Sequence, residues 1–318
     1  MPKVSVVIPT YNLSNMVGDT INSVLRQTEP DLEVIVVDDG STDNTRAVVK
    51  GIMDSRVKYF YKDNSGTPSS YNYGFSKTKG RYVAFLDHDD LWPENYLQIM
   101  LSHLENNSEF GAAYSPITVL YPDGSKIKSY RIPKGKSGWL TADLFKRNFI
   151  WNSATVIRRS ILENFGFDES LRIGCEDRDY FLRLSARTQF LFVRDIEAIR
   201  REHKKNLSRK MSLLPTRILV LERFYFRLGG DKIVPTYTAR HGISHAYRKV
   251  AKAHRSKANR SAALILYKRA IKYWPVDIRL YLDLIRTLML NKKNDPNPGW
   301  QMPEPLPEVQ LPEVCHAK

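Results

Sequence analysis

Short apolar runs rich in β-branched residues alternate with helical patterns along the first hundred residues. The runs occupy residues 4–8, 33–37, 57–61 and 82–86. Between the first two, Val17, Ile21, Val24 and Leu25 recur at the spacing of one helical face. Continuous apolar strands that alternate with helices are typical of a parallel sheet covered on both sides. The pattern therefore predicts an α/β fold with a mainly parallel, Rossmann-like sheet flanked by helices.

Polar residues follow three of these strands directly. They are Pro9-Thr10-Tyr11-Asn12, Asp38-Asp39-Gly40 and Asp87-His88-Asp89-Asp90. Ligands of such sheets gather beyond the carboxyl ends of the strands, so we expect the three segments to meet at one edge. No G-x-G-x-x-G follows the first strand, and a nucleotide bound here is therefore not held by a glycine-rich phosphate loop.

Each acidic segment has two interpretations when taken alone. The carboxylates of 87–90 either bind Mg²⁺ or Mn²⁺ together with substrate phosphates, or cap the helix that starts near Pro93. Residues 38–41 either form a turn and cap, or accept a hydrogen bond from a nucleobase or ribose. Residues 176–179 either complement a helix dipole or place a general base at a helix start.

Charge divides the chain of 318 residues. Residues 1–199 carry 24 Lys and Arg against 25 Asp and Glu, whereas residues 200–293 carry 24 against 5. This region is a solvated helical surface, a contact for anionic membrane, or a nucleic-acid site; the last is disfavoured because no nucleic-acid motif accompanies it. With two cysteines and no bilayer-length apolar run, we expect a cytoplasmic protein, peripheral at the inner face of the cytoplasmic membrane.

Three domains are expected from these shifts in composition. Residues 1–210 form the α/β domain, and residues 211–293 form a basic helical region. Within it, residues 262–290 resemble one tetratricopeptide-like helical hairpin, which must pack on the preceding helices because a single unit cannot bury both of its faces. Residues 294–318 are rich in proline and poor in large apolar residues, which predicts a disordered tail.

Five elements of the sequence occur together in an order that identifies a family. They are 9–12, 37–43, the Asn64-to-Gly66 and Asn72-to-Gly74 pair, 80–90, and Glu176-Asp177-Arg178-Asp179. Over residues 3–205 the chain resembles the family 2 glycosyltransferases with a GT-A fold. The resemblance implies an inverting transfer from a nucleotide-diphosphate sugar, with UDP favoured, to a saccharide or lipid-linked acceptor.

The resemblance also assigns roles to residues. It implies that Asp87 and Asp89 bind Mg²⁺ or Mn²⁺, that His203 approaches the metal, and that Asp177 is the general base beside Glu176. It implies donor contacts for one further set of residues: Pro9, Thr10, Tyr11, Asp39, Asn64, Gly66, Asn72, Asp87 and His88. An exposed loop is the alternative for His203.

Two segments depart from the family pattern. Residues 67–71, Thr-Pro-Ser-Ser-Tyr, replace a small Ala/Arg-rich pattern, and His88 replaces the more common Ser or Ala between the two aspartates. The leading hypothesis is a transferase in polysaccharide or glycolipid assembly. The alternative is a noncatalytic nucleotide-sugar-binding or helical interaction protein that retains the fold.

Overall fold

The chain folds into two units. The computed structural model describes residues 1–128, 135–172, 174–203 and 215–309. Described residues 1–140 and 149–203 form the first unit, which we call the α/β unit; residues 141–148 and 215–309 form the second, which we call the helical unit. The predicted boundary at residue 210 lies outside the described residues. The sequence pattern did not indicate that 141–148 belongs with the later helices.

The α/β unit contains two sheets and five α-helices among its described residues. The strands are β1 (Val4–Thr10), β2 (Leu32–Asp38), β3 (Val57–Tyr61), β4 (Tyr82–Phe85), β5 (Phe110–Tyr114), β6 (Ile117–Leu120), β7 (Lys126–Lys128), β8 (Thr155–Arg158), β9 (Gln189–Phe192) and β10 (Ala198–Arg201). The helices are α1 (Ser14–Leu25), α2 (Thr45–Lys50), α3 (Thr67–Lys77), α4 (Tyr96–Glu105) and α6 (Glu176–Ser185), while α5 (Thr141–Lys146) belongs to the helical unit.

The larger sheet has the strand order β3-β2-β1-β4-β8-β5-β9. Strands β1 to β4 are parallel, β8 is antiparallel to both neighbours, and β5 and β9 are parallel. Thr10 pairs with Asp38, and Val7 pairs with Phe85. This register brings the segments after β1, β2 and β4 to one edge of the sheet, which confirms the predicted fold class.

Apolar side chains on one face of the larger sheet pack against two helices. Val6 and Ile8 of β1 are fully buried, and they belong to one core cluster with Val17 and Ile21 of α1 and Leu97 of α4. The predicted helical face of α1 is therefore the face that packs on the sheet. Helix α4 begins at Tyr96, three residues after Pro93, and the Tyr96 N–H donates to the Pro93 carbonyl at 3.0 Å.

The helical unit contains α5 and four later helices, α7 (Thr216–Arg227), α8 (Thr236–Ser256), α9 (Arg260–Tyr273) and α10 (Ile278–Leu288). Helix α8 packs mainly on α9, and α9 on α10. Helices α9 and α10 follow each other in the chain and pack together, while their likeness to a tetratricopeptide unit stays a prediction. None of the described helices has the length and apolar composition that a membrane-spanning helix needs.

Residues 295–309 are the last described part of the helical unit, and they contact its helices without forming regular secondary structure. Arg223, which is fully buried, donates to the Pro307 carbonyl at 2.7 Å, and Arg227 donates to the Leu306 carbonyl at 2.7 Å. The Trp300 ring lies 5.3 Å from the ring of His254. Its carbonyl groups thus serve as acceptors for one buried arginine and one exposed arginine. Disorder of the tail stays a prediction, and residues 310–318 lie outside the described residues.

Candidate active site

Three carboxylates are crowded at the end of β4. Potential ligand oxygens of Asp87, Asp89 and Asp90 all lie within 4.8 Å of one another. The Asp90 N–H donates to the Asp87 carbonyl at 3.0 Å, so a tight turn directs the three side chains to one place. The Asp87 N–H in turn donates to the Ser153 hydroxyl at 3.1 Å, which ties the turn to the segment that enters β8.

The crowding is electrostatically unfavourable unless a cation compensates it. Burial, followed by the charge of Asp89, raises the pKa of Asp87 to about 7. Burial and the charges of Asp89 and Asp87 also raise the pKa of Asp90 well above its usual range. Like charges at this spacing repel, and a hard divalent cation relieves the repulsion by binding carboxylate oxygens.

A second pair of carboxylates joins this cluster at the start of α6. Burial, and then the charge of Asp177, raises the pKa of Glu176 to about 8, and Asp87 contributes as well. Asp177 in turn contributes to the raised pKa of Asp87. The acidic segments 87–90 and 176–177, which are almost ninety residues apart in the sequence, therefore influence one another electrostatically.

One oxygen of this site lacks a protein partner. Oε2 of Glu176 is buried and accepts no hydrogen bond from the described residues. A buried oxygen without a hydrogen-bond partner destabilises the folded protein. Such an oxygen therefore indicates a place where a substrate or an ion supplies the missing partner. The carboxylate oxygens of Asp87, Asp89 and Asp90 are the donor set that a hard divalent cation prefers, so these three residues fit Mg²⁺ or Mn²⁺.

His203 lies at the same cluster. Its Nε2 is 2.9 Å from Oδ2 of Asp89, and both side chains are mostly buried. The alternative of an exposed loop histidine is therefore wrong. Two residues earlier, the Arg201 guanidinium donates to the Asp89 carbonyl and, at 3.0 Å, to the Met16 carbonyl of α1. Arg201 thus fixes the backbone of the acidic turn against the first helix.

The end of β1 is joined to the acidic turn by His88. Its Nδ1 accepts the Tyr11 N–H at 3.2 Å and lies 3.1 Å from Oγ1 of Thr10. Burial lowers the pKa of His88, which favours the neutral ring that such an acceptor role requires. The Tyr11 side chain is exposed, and Pro9 lies buried within β1. Thr10, Tyr11 and His88 are therefore together.

Asp39 organises the neighbouring loop. Its two carboxylate oxygens accept the N–H groups of Ser65 at 3.0 Å and Gly66 at 2.9 Å, and the Lys62 ammonium lies against the same carboxylate. The Asn64 amide donates to the Asp39 carbonyl at 2.9 Å. Gly66 has φ 95°, a conformation that favours glycine. Asp39, Asn64 and Gly66 therefore form one rigid loop beside the end of β1.

Asn72 has a different place in the fold. Its Nδ2 donates to the Phe167 carbonyl at 2.9 Å, and its Oδ1 accepts the Phe167 N–H at 2.8 Å. Nδ2 also lies 2.9 Å from a carboxylate oxygen of Glu169. Because both ends of the amide are engaged with residues 167–169, the structure gives Asn72 a bracing role and does not group it with the acidic cluster.

Sequence reasoning missed two residues that contact or influence the acidic cluster. Tyr71 is wholly buried, and its hydroxyl donates to Oδ1 of Asp87. Arg200 lowers the pKa of both Asp87 and Asp90 and lies over the Trp151 ring at 5.4 Å. The sequence of residues 67–71 differs from the family pattern and could have indicated Tyr71, because an aromatic residue occurs there in place of small residues. Arg200 carries no such local signal.

Comparison with known proteins identifies the family. Residues 5–166 match the model "Glycosyl transferase family 2". The chain belongs to glycosyltransferase family 2. It is 33% identical over 213 residues to the chondroitin synthase of Pasteurella multocida, an alignment that covers 66% of this chain and 22% of the synthase. The chain spans between 16% and 36% of four uncharacterized glycosyltransferases that it also matches.

Two solved structures with a fold similar to that of this chain contain bound nucleotide sugars. Staphylococcus aureus TarS residues 1–349, in complex with UDP-GlcNAc, matches with a TM-score of 0.65 and 15% identity, over 93% of this chain and 91% of TarS. The mannosyltransferase PcManGT of Pyrobaculum calidifontis, in complex with GDP-Man and Mn²⁺, matches with a TM-score of 0.59 and 19% identity, over 90% and 86%. At these identities the likeness establishes the GT-A fold alone.

Proposed function

We propose that this family 2 protein transfers a sugar from a nucleotide-diphosphate donor, with UDP favoured, to a hydroxyl of a saccharide or lipid-linked acceptor. The observation that carries the proposal is the close grouping of the carboxylates of Asp87, Asp89 and Asp90, together with their electrostatic coupling to Glu176 and Asp177. A donor needs its leaving diphosphate neutralised, and an acceptor hydroxyl needs a base; the cluster offers carboxylates for both tasks.

In this proposal Asp87 and Asp89 hold the cation, with Asp90 and His203 beside them. Bound Mg²⁺ or Mn²⁺ supplies charge neutralisation for the diphosphate. His88 holds Thr10 and Tyr11 at the nucleoside side, while Asp39 keeps the 64–66 loop in place. The hydrogen bond from Tyr71 orients the Asp87 carboxylate.

Asp177 acts as the general base in this scheme. One of its carboxylate oxygens, Oδ1, accepts the N–H of Arg178 at 2.6 Å, which fixes the side chain at the first turn of α6. The carboxylate takes the acceptor proton as the hydroxyl oxygen bonds to the anomeric carbon and the diphosphate leaves. A single displacement of this kind inverts the anomeric centre, and a positioned base contributes about 10²–10⁴-fold.

The test is release of nucleoside diphosphate from a panel of UDP-, GDP- and dTDP-sugars with Mg²⁺ or Mn²⁺ and a panel of saccharide acceptors. We expect release that depends on acceptor and cation, and its loss in Asp177→Asn. Absence of turnover with every donor, together with tight nucleotide-sugar binding, would favour the noncatalytic alternative. Wild-type rates in Asp177→Asn would exclude that residue as the base.

A contact with anionic membrane is a second part of the proposal, supported by the surface of α10. Ile278, Leu282 and Ile285 recur at helical spacing on this helix, Met289 follows directly after its last residue, and each of the four is about half exposed or more. The exposed side chains of Arg279 and Arg286 flank that face. An apolar stripe beside basic residues is typical of helices that lie in a membrane interface, where each cation contributes about 1 kcal/mol.

Vesicle flotation tests this contact. We expect the protein to float with vesicles rich in phosphatidylglycerol and to stay behind with pure phosphatidylcholine. Leu282→Ser combined with Ile285→Ser removes the stripe and should abolish flotation. The matched control is Met53→Ser, which changes an exposed apolar residue of the α/β unit. Equal partitioning to both vesicle types, or a stripe that is buried between two copies in solution, overturns the membrane assignment.

A further inference from the structure

The helical unit contains a cleft that the proposed transfer reaction does not use. It has a volume of about 530 Å³ and is bounded by residues of α7, α8 and α9. Aromatic and charged side chains line it together: Glu222, Phe226, Arg240, Tyr247, Lys272 and Tyr273. We call it the helical cleft.

A hydrogen-bonded group of three side chains forms one wall of the helical cleft. Oε1 of Glu222 accepts the hydroxyls of Tyr247 and Tyr273, each at 2.8 Å. The two tyrosine rings are stacked, with centroids 5.8 Å apart and an interplanar angle of 21°. The Glu222 carboxylate is therefore already hydrogen-bonded within the protein. The stacked rings of Tyr247 and Tyr273 form an aromatic surface along the cleft.

Two basic side chains that line the cleft form no ion pair or hydrogen bond with the described residues. Arg240 and Lys272 are exposed, and neither has an ion-pair or hydrogen-bond partner among residues 1–128, 135–172, 174–203 and 215–309. Arg269 differs, because it donates to the Tyr247 hydroxyl at 3.3 Å. With Glu222 already engaged, the charge that the cleft offers to a ligand is positive.

Exposed aromatic rings accompany these cations. Phe226 is 57% exposed, and its ring lies 6.2 Å from that of Tyr273. Tyr237, three residues before Arg240 on α8, is 67% exposed and meets the Trp274 ring edge-on at 4.8 Å. Flat apolar rings in a concave site beside a few polar groups are the composition of a ligand site, whereas isolated surface lysines carry no such implication.

We propose that the helical cleft binds an anionic glycan, that is, a chain of sugars that bear carboxylate or phosphate groups. The apolar face of a sugar ring packs on Phe226 and Tyr273, and the anionic groups pair with Arg240 and Lys272. The proposal rests on the proposed transferase function, since such a glycan is then an acceptor or product that the protein retains at a site separate from its acidic cluster.

Binding is measured without donor, by calorimetry on the full chain carrying Asp177→Asn, so that turnover plays no part. The probes are a hyaluronan decasaccharide, phosphomannan, dextran as a neutral glycan, and inorganic polyphosphate as an anion without sugar. We expect binding of hyaluronan or phosphomannan and at least tenfold weaker binding of dextran and polyphosphate. Arg240→Gln with Lys272→Gln, and separately Phe226→Ser, should each weaken binding about tenfold.

The matched control is Lys257→Gln with Lys293→Gln, which removes two exposed charges of the same unit that do not line the cleft. Its affinity should stay within twofold of the parent. Equal loss in the control, equal binding of polyphosphate, or no binding of either anionic glycan overturns the proposal. Failure of the transferase proposal appears separately, as absent diphosphate release from the wild-type chain.

Discussion

Nε2 of His203 lies 2.9 Å from Oδ2 of Asp89, although 114 residues separate them in the sequence. The contact places an imidazole nitrogen beside the carboxylates of 87–90 and shows that the chain after β10 returns to the end of β4. His203 and Asp89 therefore form the link between the acidic turn and the last strand of the α/β unit.

Asp89→Asn should abolish cation-dependent turnover while leaving the fold intact. Asp89 is proposed to hold the cation, and its loss should lower kcat by at least about 100-fold, the scale of a lost positioned catalytic group. Its charge raises the pKa of both Asp87 and Asp90, so its removal relieves repulsion, and Tm should not fall. Diphosphate release and thermal melting measure the two effects.

The control for this substitution is Asp31→Asn, which changes an exposed aspartate before β2. It should leave both turnover and Tm unchanged. A marked fall in the Tm of Asp89→Asn would show that the carboxylate is a structural acceptor, contrary to the metal assignment.

The stability of the cation-free protein should fall as pH rises. The folded pKa of Glu176 is about 8, above its value in an unfolded chain of roughly 4.3. Between these values the unfolded state loses its proton first, so unfolding becomes more favourable with rising pH, by up to about 1.4 kcal/mol per pH unit for each such group. Urea denaturation in EDTA at pH 5.5, 6.5 and 7.5 measures the slope.

Glu176→Gln should flatten that slope, with a residual slope from Asp87, whose pKa is raised to about 7. Glu109→Gln, at an exposed position, should keep the wild-type slope. If the stability of the wild type, Glu176→Gln and Glu109→Gln changed equally with pH, the pKa of Glu176 would not be raised in the folded protein. The assignment of Glu176 to the acidic site would then be contradicted.

The sequence predicts the frame of the site better than its details. Buried parallel strands leave nearly continuous apolar runs, and the predicted run 4–8 lies within β1, which is buried throughout. Because parallel strands end at one edge, the meeting of 9–12, 38–40 and 87–90 follows from order alone. The contacts of Arg200 and Arg201 depend on how distant elements pack, and nothing in the local sequence distinguishes these residues. The aromatic residue at position 71 is a local departure from the family pattern, but its partner Asp87 is set by packing. The backbone amides that occupy Asp39 are likewise set by the loop that follows β3.

Arg201→Lys should weaken cation binding without unfolding the α/β unit. The Arg201 fork donates to the Asp89 carbonyl, to Oγ1 of Thr20 at 2.9 Å and to the Met16 carbonyl, and a lysine cannot make these bonds together. Supporting residues of metal sites typically change affinity by about 10–100-fold. Calorimetric titration with Mn²⁺ should therefore give an affinity at least about tenfold lower, with an unchanged circular dichroism spectrum.

Arg26→Lys, at an exposed position of the same unit, is the control for Arg201 and should bind Mn²⁺ like the wild type. The Arg201→Lys protein should also show a lower kcat at low Mn²⁺ that is partly restored at high Mn²⁺. If added cation restores nothing, Arg201 acts elsewhere than through the Asp89 turn.

Removal of residues 295–318 should destabilise the helical unit. The deletion takes away the Pro307 carbonyl that Arg223 uses and the Leu306 carbonyl that Arg227 uses. Arg223 is fully buried, and loss of its acceptor leaves a buried donor unsatisfied, at a cost of about 1–3 kcal/mol or more for a charged group. Thermal melting should show a lower transition for the truncated chain. Deletion of 310–318 alone keeps the Pro307 and Leu306 carbonyl groups, and this shorter deletion should melt at a higher temperature than the longer one.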